Sequence, residues 1–200
     1  MKDLYYFFRM MLKIFYKMYF RFEVCGHHNI PDEGGVLIAA NHLSYLDPPL
    51  VGISIKRKAS FIAHSGLFNI PLIGKFIESF SIPIDRDNPK PSTIKEAVSR
   101  LKNGELVVMF PEGTRSPSGE DVSGKRGAAS IAGMSRATII PTLIEGTGKA
   151  LPIDTKFIKP FKVRITFGKP LTRNPGESEK EFQQSIEDDL MDTIKNLRES

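Results

Sequence analysis

Six short apolar segments recur along the chain with room for helices between them, and this alternation restricts the fold more than any other feature. The segments have the length of β-strands and lie at Val36–Ala40, Ser60–Ala63, Phe80–Ile84, Leu106–Phe110, Ala137–Ile144 and Lys162–Phe167. Strands that alternate with helices form a largely parallel sheet covered by helices. The sequence therefore predicts an α/β fold, with a single mainly parallel or mixed sheet flanked by helices.

Two of the intervening helices carry clear signals at their ends. The helix Thr93–Asn103 begins with a predicted capping box whose second member is Glu96, and Gly104 follows as a stop. A second helix is predicted to begin at Ser178, with Glu181 three residues later. The side chains that this last helix is expected to bury are Phe182, Ile186, Leu190 and Ile194.

Polar residues directly follow three of the predicted strands. These pairs are Asn41-His42, Asp85-Arg86 and Pro111-Glu112. Because ligands in such sheets bind outside the carboxyl ends of the strands, we expect three candidate sites on one edge of the sheet.

The first site contains a histidine and an aspartate in the sequence NHLSYLD, Asn41 to Asp47. A carboxylate that holds one ring nitrogen of His42 would let the other nitrogen act as a general base. Five residues rotate the two side chains off a common helix face, so the intervening residues would have to curl. Alternatively, Asp47 before Pro48 resembles a helix N-cap followed by proline.

The second site is the sequence FPEGTRS, which follows an apolar strand. Gly113 lets the backbone approach a ligand, while Thr114 and Arg115 offer a hydroxyl and a bidentate cation to a phosphate. Glu112 could accept a hydrogen bond from a substrate hydroxyl or orient the arginine. The alternative is a polar β-turn, since Pro-x-Gly is ordinary turn chemistry.

The third site is Arg86, in the sequence IPIDRD. Its guanidinium could bind an anion beside the other two sites. The alternative is a surface ion pair between Arg86 and its neighbours Asp85 or Asp87.

Composition limits the cofactors and partners. The net charge is +5 and the pI is about 9.3, which favours polyanionic partners such as anionic lipid or phosphorylated substrates. The sequence has no long basic tract and no Cys or His pairs at metal-ligand spacing, so we expect no nucleic acid and no metal. The match to G-x4-G-K ending at Lys125 lacks the Ser or Thr of a nucleotide-binding loop. We therefore expect no cofactor, although Lys125 could face an anion.

The first 22 residues are strongly two-sided as a helix. The basic residues Arg9, Lys13, Lys17 and Arg21 recur at every fourth position and leave no run of about 20 uncharged residues that could span a membrane. The opposite stripe consists of Leu4, Phe8, Met11, Phe15, Met18 and Phe22. We interpret this segment as a helix lying in the membrane interface. The alternative is a stripe that packs on the protein's own core or on a second chain.

Four segments together resemble the glycerolipid acyltransferase family, and within it the bacterial 1-acyl-sn-glycerol-3-phosphate acyltransferases of the PlsC type. The segments are NHLSYLD, IPIDR, FPEGTRS and IIPTLIEGT, in the order and rough spacing of the family's sequence blocks. The resemblance implies that residues 1–22 associate with the membrane and that residues 23–200 form the acyltransferase domain. It further implies peripheral, monotopic attachment to the cytoplasmic face of the cell membrane.

The resemblance also implies roles for individual residues. His42 corresponds to the general base and Asp47 to its partner. The positions associated with binding the glycerol phosphate are Arg86, Glu112, Gly113, Thr114, Arg115 and Lys125.

The function implied is transfer of a fatty acyl group from acyl carrier protein or coenzyme A to the sn-2 hydroxyl of lysophosphatidate, which makes phosphatidate. One alternative is an acyltransferase acting on glycerol-3-phosphate or another lysolipid. Others are a thioester hydrolase and a non-catalytic module that binds anionic membranes.

Overall fold

A single sheet organises the protein, of which the computed structural model describes residues 2–69, 81–84, 91–112 and 122–199. The strands are β1 (Glu23–Cys25), β2 (Val36–Ala40), β3 (Ala59–His64), β4 (Ser81–Ile84), β5 (Leu106–Met109), β6 (Thr138–Glu145) and β7 (Arg164–Phe167). The described helices are α1 (Lys2–Tyr19), α2 (Asp47–Ser54), α3 (Pro91–Lys102), α4 (Val122–Ser135), α5 (Thr147–Ala150) and α6 (Glu179–Asn196).

The sheet is mixed, and its strand order is β1-β7-β6-β2-β5-β3-β4. Strand β2 pairs in parallel with β5 and β6, and β3 pairs in parallel with β5 and β4. Only the β6–β7 pair among the described strands is antiparallel, and β1 runs parallel to β7. The predicted α/β fold with a mainly parallel or mixed sheet is therefore confirmed. The carboxyl ends of β2 to β6 share one edge, as the sequence analysis required.

Helices cover both faces of the sheet. All five residues of β2 are buried, which is typical of a central parallel strand. Val36, Ile38 and Ala40 pack in a cluster with residues of α1 and α2. The alternate side chains, Leu37 and Ala39, pack with α3, α4 and α6. The two faces of one strand therefore hold two separate apolar layers together.

Helix α1 is partly packed into the domain. Tyr16 and Phe20, at and just after its carboxyl end, are 1% and 0% exposed and belong to the same cluster as the sheet. Met11, Phe15 and Met18 of the predicted stripe are exposed. The helix thus packs through one side and leaves apolar side chains on another. The proposed boundary at residue 22 and the membrane role of the helix stay predictions.

The helices of the described ranges include none that is both long enough and apolar enough to cross a bilayer.

The ends of two helices test the predicted caps. Helix α3 begins two residues before Thr93, and the hydroxyl of Thr93 donates to the Pro83 carbonyl oxygen at 3.0 Å. The capping box predicted there is wrong, because that hydroxyl joins the helix to β4. The capping box of Ser178 and Glu181 is confirmed, with both reciprocal hydrogen bonds formed. The apolar residues predicted for this helix, Phe182, Ile186, Leu190 and Ile194, are all buried.

The sequence analysis did not include β1 among its strands. This strand has three residues at the edge of the sheet, and none of them is fully buried. A strand so short and so exposed lacks the apolar run that identified the others.

We predict that Phe20→Ala lowers the free energy of unfolding by about 3–5 kcal/mol, because it empties a fully enclosed site in the core. Met18→Ala is the matched control, since Met18 is 79% exposed and its loss should change stability by less than about 0.5 kcal/mol. Urea denaturation followed by circular dichroism measures both. Equal stability of the two variants would mean that Phe20 does not pack in the core in solution.

Candidate active site

The loop that leaves β2 is held against the neighbouring strand by Asn41. Its side-chain nitrogen donates to the Ile144 carbonyl oxygen at 2.9 Å, and its side-chain oxygen accepts the Ile144 N–H at 2.6 Å. This pairing replaces the backbone ladder at the point where β2 ends. The sequence analysis noted Asn41 only as part of a motif. Asn41 directly follows a buried strand, and a buried side-chain amide needs hydrogen-bond partners, so its position was a signal for this contact.

His42 and Asp47 meet in a buried hydrogen bond. The Nδ1 atom of His42 lies 2.9 Å from Oδ2 of Asp47, and the two residues are 7% and 0% exposed. The intervening residues curl, as the spacing required, and the Asp47 N–H donates to the Ser44 carbonyl oxygen at 3.1 Å.

The Asp47 carboxylate is held by two further donors. The backbone N–H groups of Leu43 and Ser44 donate to Oδ2 at 2.7 and 2.8 Å. Oδ2 already accepts from these two donors, so its contact with the ring forms a hydrogen bond when Nδ1 of His42 carries the imidazole proton. The Nε2 atom then carries a lone pair that can accept a proton.

The alternative role for Asp47 as a helix N-cap is wrong. The N-cap of α2 is Leu46, and Asp47 is the first residue of the helix, followed by Pro48. Its described hydrogen bonds reach back into the loop instead of forward to the helix. Its position in the first turn still places the carboxylate where the helix dipole favours negative charge.

Phe110 fixes the plane of the imidazole. Its ring stacks on that of His42 with the centroids 4.3 Å apart and the planes at 25°. Phe110 directly follows β5, which pairs with β2, so the sheet register brings the two rings together. This contact could not be read from either motif alone.

Glu112 also reaches the loop. Its Oε2 accepts the backbone N–H of His42 at 3.2 Å, and the residue is 4% exposed. Burial raises the pKa of Glu112 to about 7, the hydrogen bond from His42 opposes that rise, and the charge of Asp47 adds to it. The motifs NHLSYLD and FPEGTRS therefore meet through this residue.

Two hydroxyl groups join the loop between His42 and Asp47 to neighbouring elements. The Tyr16 hydroxyl donates to the Leu46 carbonyl oxygen at 3.0 Å, and the Ser44 hydroxyl donates to the Leu151 carbonyl oxygen at 2.9 Å. Burial, with a smaller effect from the charge of Asp47, raises the pKa of Tyr16 above its usual value, so the phenol stays protonated. The sequence analysis missed Tyr16, which its pattern placed on neither the basic nor the apolar side.

The side chains of the remaining predicted site residues lie outside the described structure. Arg86, Gly113, Thr114 and Arg115 fall between the described ranges. Lys125 lies in α4, but its side chain is not among those described. The structure thus brings together His42, Asp47 and Glu112 from the predicted set. Within the described ranges, no group of His, Cys, Asp or Glu side chains is arranged to hold a metal ion.

Comparison with known proteins places most of these elements within one family model. The family model described as Acyltransferase matches residues 21–145, which contain β1 to β6 and both partners of the buried pair. The chain belongs to the acyltransferase family.

Relatives within the family carry one recurrent name. The chain is 37% identical over 153 residues to a 1-acyl-sn-glycerol-3-phosphate acyltransferase of Bacillus subtilis, covering 74% of this chain and 73% of that protein. It is 30% identical to a chloroplast 1-acyl-sn-glycerol-3-phosphate acyltransferase of Arabidopsis thaliana, covering 76% of this chain and 44% of that protein.

A solved structure shares the whole architecture. The crystal structure of the 1-acyl-sn-glycerophosphate acyltransferase PlsC from Thermotoga maritima superposes with a TM-score of 0.75 at 28% identity. The match covers 96% of this chain and 80% of that one. The resemblance stated from the four sequence motifs is confirmed.

The raised pKa of Glu112 predicts a specific pH dependence. The folded protein holds a proton on Glu112 up to about pH 7, whereas the unfolded chain releases it near 4.5. Between these values the folded state binds more protons, so the contribution of Glu112 to the free energy of unfolding falls as the pH rises. Glu112→Gln should remove this fall. Urea denaturation of both proteins from pH 4 to pH 8 measures it, and parallel curves would contradict the raised pKa.

Proposed function

We propose that this protein transfers a fatty acyl group from an acyl thioester, carried by acyl carrier protein or coenzyme A, to the sn-2 hydroxyl of 1-acylglycerol-3-phosphate. The product is phosphatidate. The observation that carries this proposal is the buried pair of His42 and Asp47 at the edge of the sheet, in a chain of the acyltransferase family.

In this proposal His42 is the general base. Its Nε2 atom takes the proton of the acceptor hydroxyl while that oxygen attacks the thioester carbonyl carbon. The new C–O bond forms, the C–S bond breaks, and the proton passes from His42 to the departing thiolate. Asp47 holds Nδ1–H and stabilises the imidazolium that forms transiently. Direct attack requires no acyl group bound to the protein.

The acceptor's phosphate would be bound by basic residues that follow strands of this sheet in the sequence. Arg86 and Arg115 follow β4 and β5 within a few residues, and β5 pairs with β2, which leads to His42. Guanidinium groups bind phosphate oxygens in pairs, and a fixed phosphate places the hydroxyl for attack. Lys125, Gly113 and Thr114 complete the proposed phosphate and glycerol site.

Glu112 receives a more definite place in the proposal. Its carboxylate accepts the backbone N–H of His42 and so anchors the start of the loop. Glu112 therefore helps to position the imidazole of His42. Near pH 7 part of the population carries a proton on Glu112 and can donate a hydrogen bond to a substrate oxygen. We propose both roles for this residue.

Helix α1 would attach the protein to the membrane that contains its substrate. Met11, Phe15 and Met18 expose apolar surface, and the cations Lys13 and Lys17 on the same helix are exposed. An exposed apolar face beside cations suits insertion among anionic headgroups. We propose peripheral, monotopic attachment to the cytoplasmic face of the cell membrane.

We predict that His42→Ala lowers phosphatidate formation by about 10²–10⁴-fold, the usual contribution of a general base. His28→Ala is the matched control and should keep full activity, because His28 is exposed and follows β1, which β7 and β6 separate from β2 in the sheet. Mass spectrometry of lipids made from lysophosphatidate and each acyl thioester gives the rates and names the donor.

The same assay separates the alternatives. Free fatty acid formed without a lipid acceptor would indicate a thioester hydrolase. Vesicle binding without turnover by the wild type would indicate a non-catalytic module. Full activity of His42→Ala would exclude His42 as the base.

We predict that Arg115→Ala raises the KM for lysophosphatidate by about tenfold to a hundredfold, the range expected for loss of a charged hydrogen bond. The KM for the acyl thioester should change little, because the thioester is not bound through the acceptor's phosphate. Arg136→Ala serves as the control, since Arg136 is exposed and precedes the amino end of β6. An equal rise in both KM values would contradict phosphate binding by Arg115.

A further inference from the structure

A second apolar surface lies far from α1 in the sequence, in the segment 151–163 between α5 and β7. The segment has no helix or strand of its own. Four of its large apolar side chains are exposed, and Phe157 is 80% exposed. Ile153, Ile158 and Phe161 are about half as exposed. Contiguous exposed apolar side chains of this kind mark a binding surface.

The backbone of this segment is held in place. The Lys159 N–H donates to the Ala150 carbonyl oxygen at 2.7 Å, which closes the segment onto the end of α5. The Phe157 N–H donates to the Thr155 hydroxyl at 3.1 Å. The exposure of Phe157 is therefore a property of a defined loop conformation.

Cations surround the apolar side chains. Lys149, Lys156, Lys159 and Lys162 flank or interrupt the segment, which contains one acidic residue, Asp154. Lys149 lies over the Phe161 ring at 5.1 Å, and Lys162 pairs with Glu23 at 2.7 Å. Lys156 and Lys159 are exposed next to Phe157 and Ile158. Exposed cations beside exposed apolar side chains complement a bilayer surface, which has anionic headgroups over an apolar interior.

The segment is continuous with α1. The Tyr19 hydroxyl donates to the Ile158 carbonyl oxygen at 3.0 Å. Tyr19 also stacks on Phe15, one of the exposed apolar residues of α1, at 5.3 Å between centroids. The exposed parts of the two elements therefore adjoin, although more than 130 residues separate them in the chain.

Both elements are bonded to the loop of the candidate active site. Ser44 joins it to Leu151 at the start of the segment, and Tyr16 of α1 joins it at Leu46. A flat surface that contacts both elements would lie next to the loop that connects His42 and Asp47.

We propose that the segment 153–161 is a second membrane-inserting element, which with α1 forms one docking surface for an anionic lipid bilayer. Phe157 and Ile158 insert among the acyl chains, and Lys156 and Lys159 contact the headgroup phosphates. The proposal rests on the proposed function, since the membrane attachment of α1 belongs to it. Two elements in contact fix the orientation of the protein on the bilayer, which a single helix would leave free to roll.

The fluorescence of a tryptophan placed in the segment reports membrane insertion directly, because the chain contains no tryptophan of its own. Phe157→Trp is compared with Met134→Trp, since Met134 is also an exposed apolar residue but lies on α4, against the other face of the sheet. Vesicles contain phosphatidylcholine and phosphatidylglycerol, with and without brominated acyl chains. We expect a blue shift and quenching by the brominated lipid for Phe157→Trp, and neither for Met134→Trp. Absence of quenching for Phe157→Trp would overturn the proposal.

Affinity provides the second measurement. The double variant Phe157→Ser, Ile158→Ser should bind anionic vesicles at least about tenfold more weakly, as loss of two inserted apolar side chains implies. Met134→Ser should bind as the wild type does. Lys156→Gln with Lys159→Gln should reduce the preference for anionic over neutral vesicles. Unchanged vesicle binding by the Ser variant overturns the proposal, and so does failure of the wild type to bind.

Other occupants of this surface give distinct results. A second copy of the chain would give a dimer in light scattering that the Ser variant abolishes, with vesicle binding unchanged. An acidic carrier protein would give a raised KM for its acyl thioester in the Ser variant, again with vesicle binding unchanged. Either result overturns the membrane assignment.

Turnover separates this proposal from the proposed function. With a short-chain lysophosphatidate kept below its micelle concentration, the Ser variant should match the wild type, whereas turnover of vesicle-borne lysophosphatidate should fall with binding. If the wild type turned over no lysolipid and the Ser variant still lost vesicle binding, the docking surface would stand and the proposed function would fail.

Discussion

The shape of the candidate active site depends on one carboxylate oxygen. Oδ2 of Asp47 accepts the ring N–H of His42 and the backbone N–H groups of Leu43 and Ser44. These donors are buried or partly buried, and without that oxygen each would lose its described partner. The same atom thus sets the curl of the loop, the tautomer of the imidazole and the direction of Nε2. The conformation of the loop and the negative charge beside His42 both come from this carboxylate, so a substitution of Asp47 changes both.

The elements around this loop all contribute contacts to it. Asn41 pairs with Ile144 of β6, and Glu112 accepts the N–H of His42 after β5. On its other side, the loop is hydrogen-bonded to the Tyr16 hydroxyl of α1 and to the carbonyl oxygen of Leu151, which follows α5. The loop is therefore fixed by the sheet from one direction and by the proposed membrane-facing elements from the other. The proposed docking surface would thus lie beside the loop that carries His42 and Asp47.

Local signals misled where a tertiary contact competed for the same group. Thr93 has the spacing of a cap, but its hydroxyl bonds to Pro83 because β4 lies beside the start of α3. Asp47 precedes proline as a cap would, but its Oδ2 accepts the backbone N–H groups of Leu43 and Ser44 instead of those of the helix. Ser178 is exposed and caps α6 as its sequence predicted, and its hydroxyl accepts the Glu181 N–H. The local rule thus held at an exposed helix end and failed at the two buried or partly buried ones.

The sequence by itself determined the alternation of strands and helices, the common edge of the strands and the two motifs that meet there. These follow from apolar periodicity and from the geometry of parallel sheets, which need no knowledge of particular contacts. Only the tertiary structure decided that Phe110 stacks on His42, that Glu112 is buried beneath it, and that Tyr16 of α1 braces the loop. Each of these contacts joins residues at least 30 positions apart, with Glu112 lying 70 positions from His42. Such distances are set by how the layers pack, and the periodicity of a single segment carries no information about its neighbours in space.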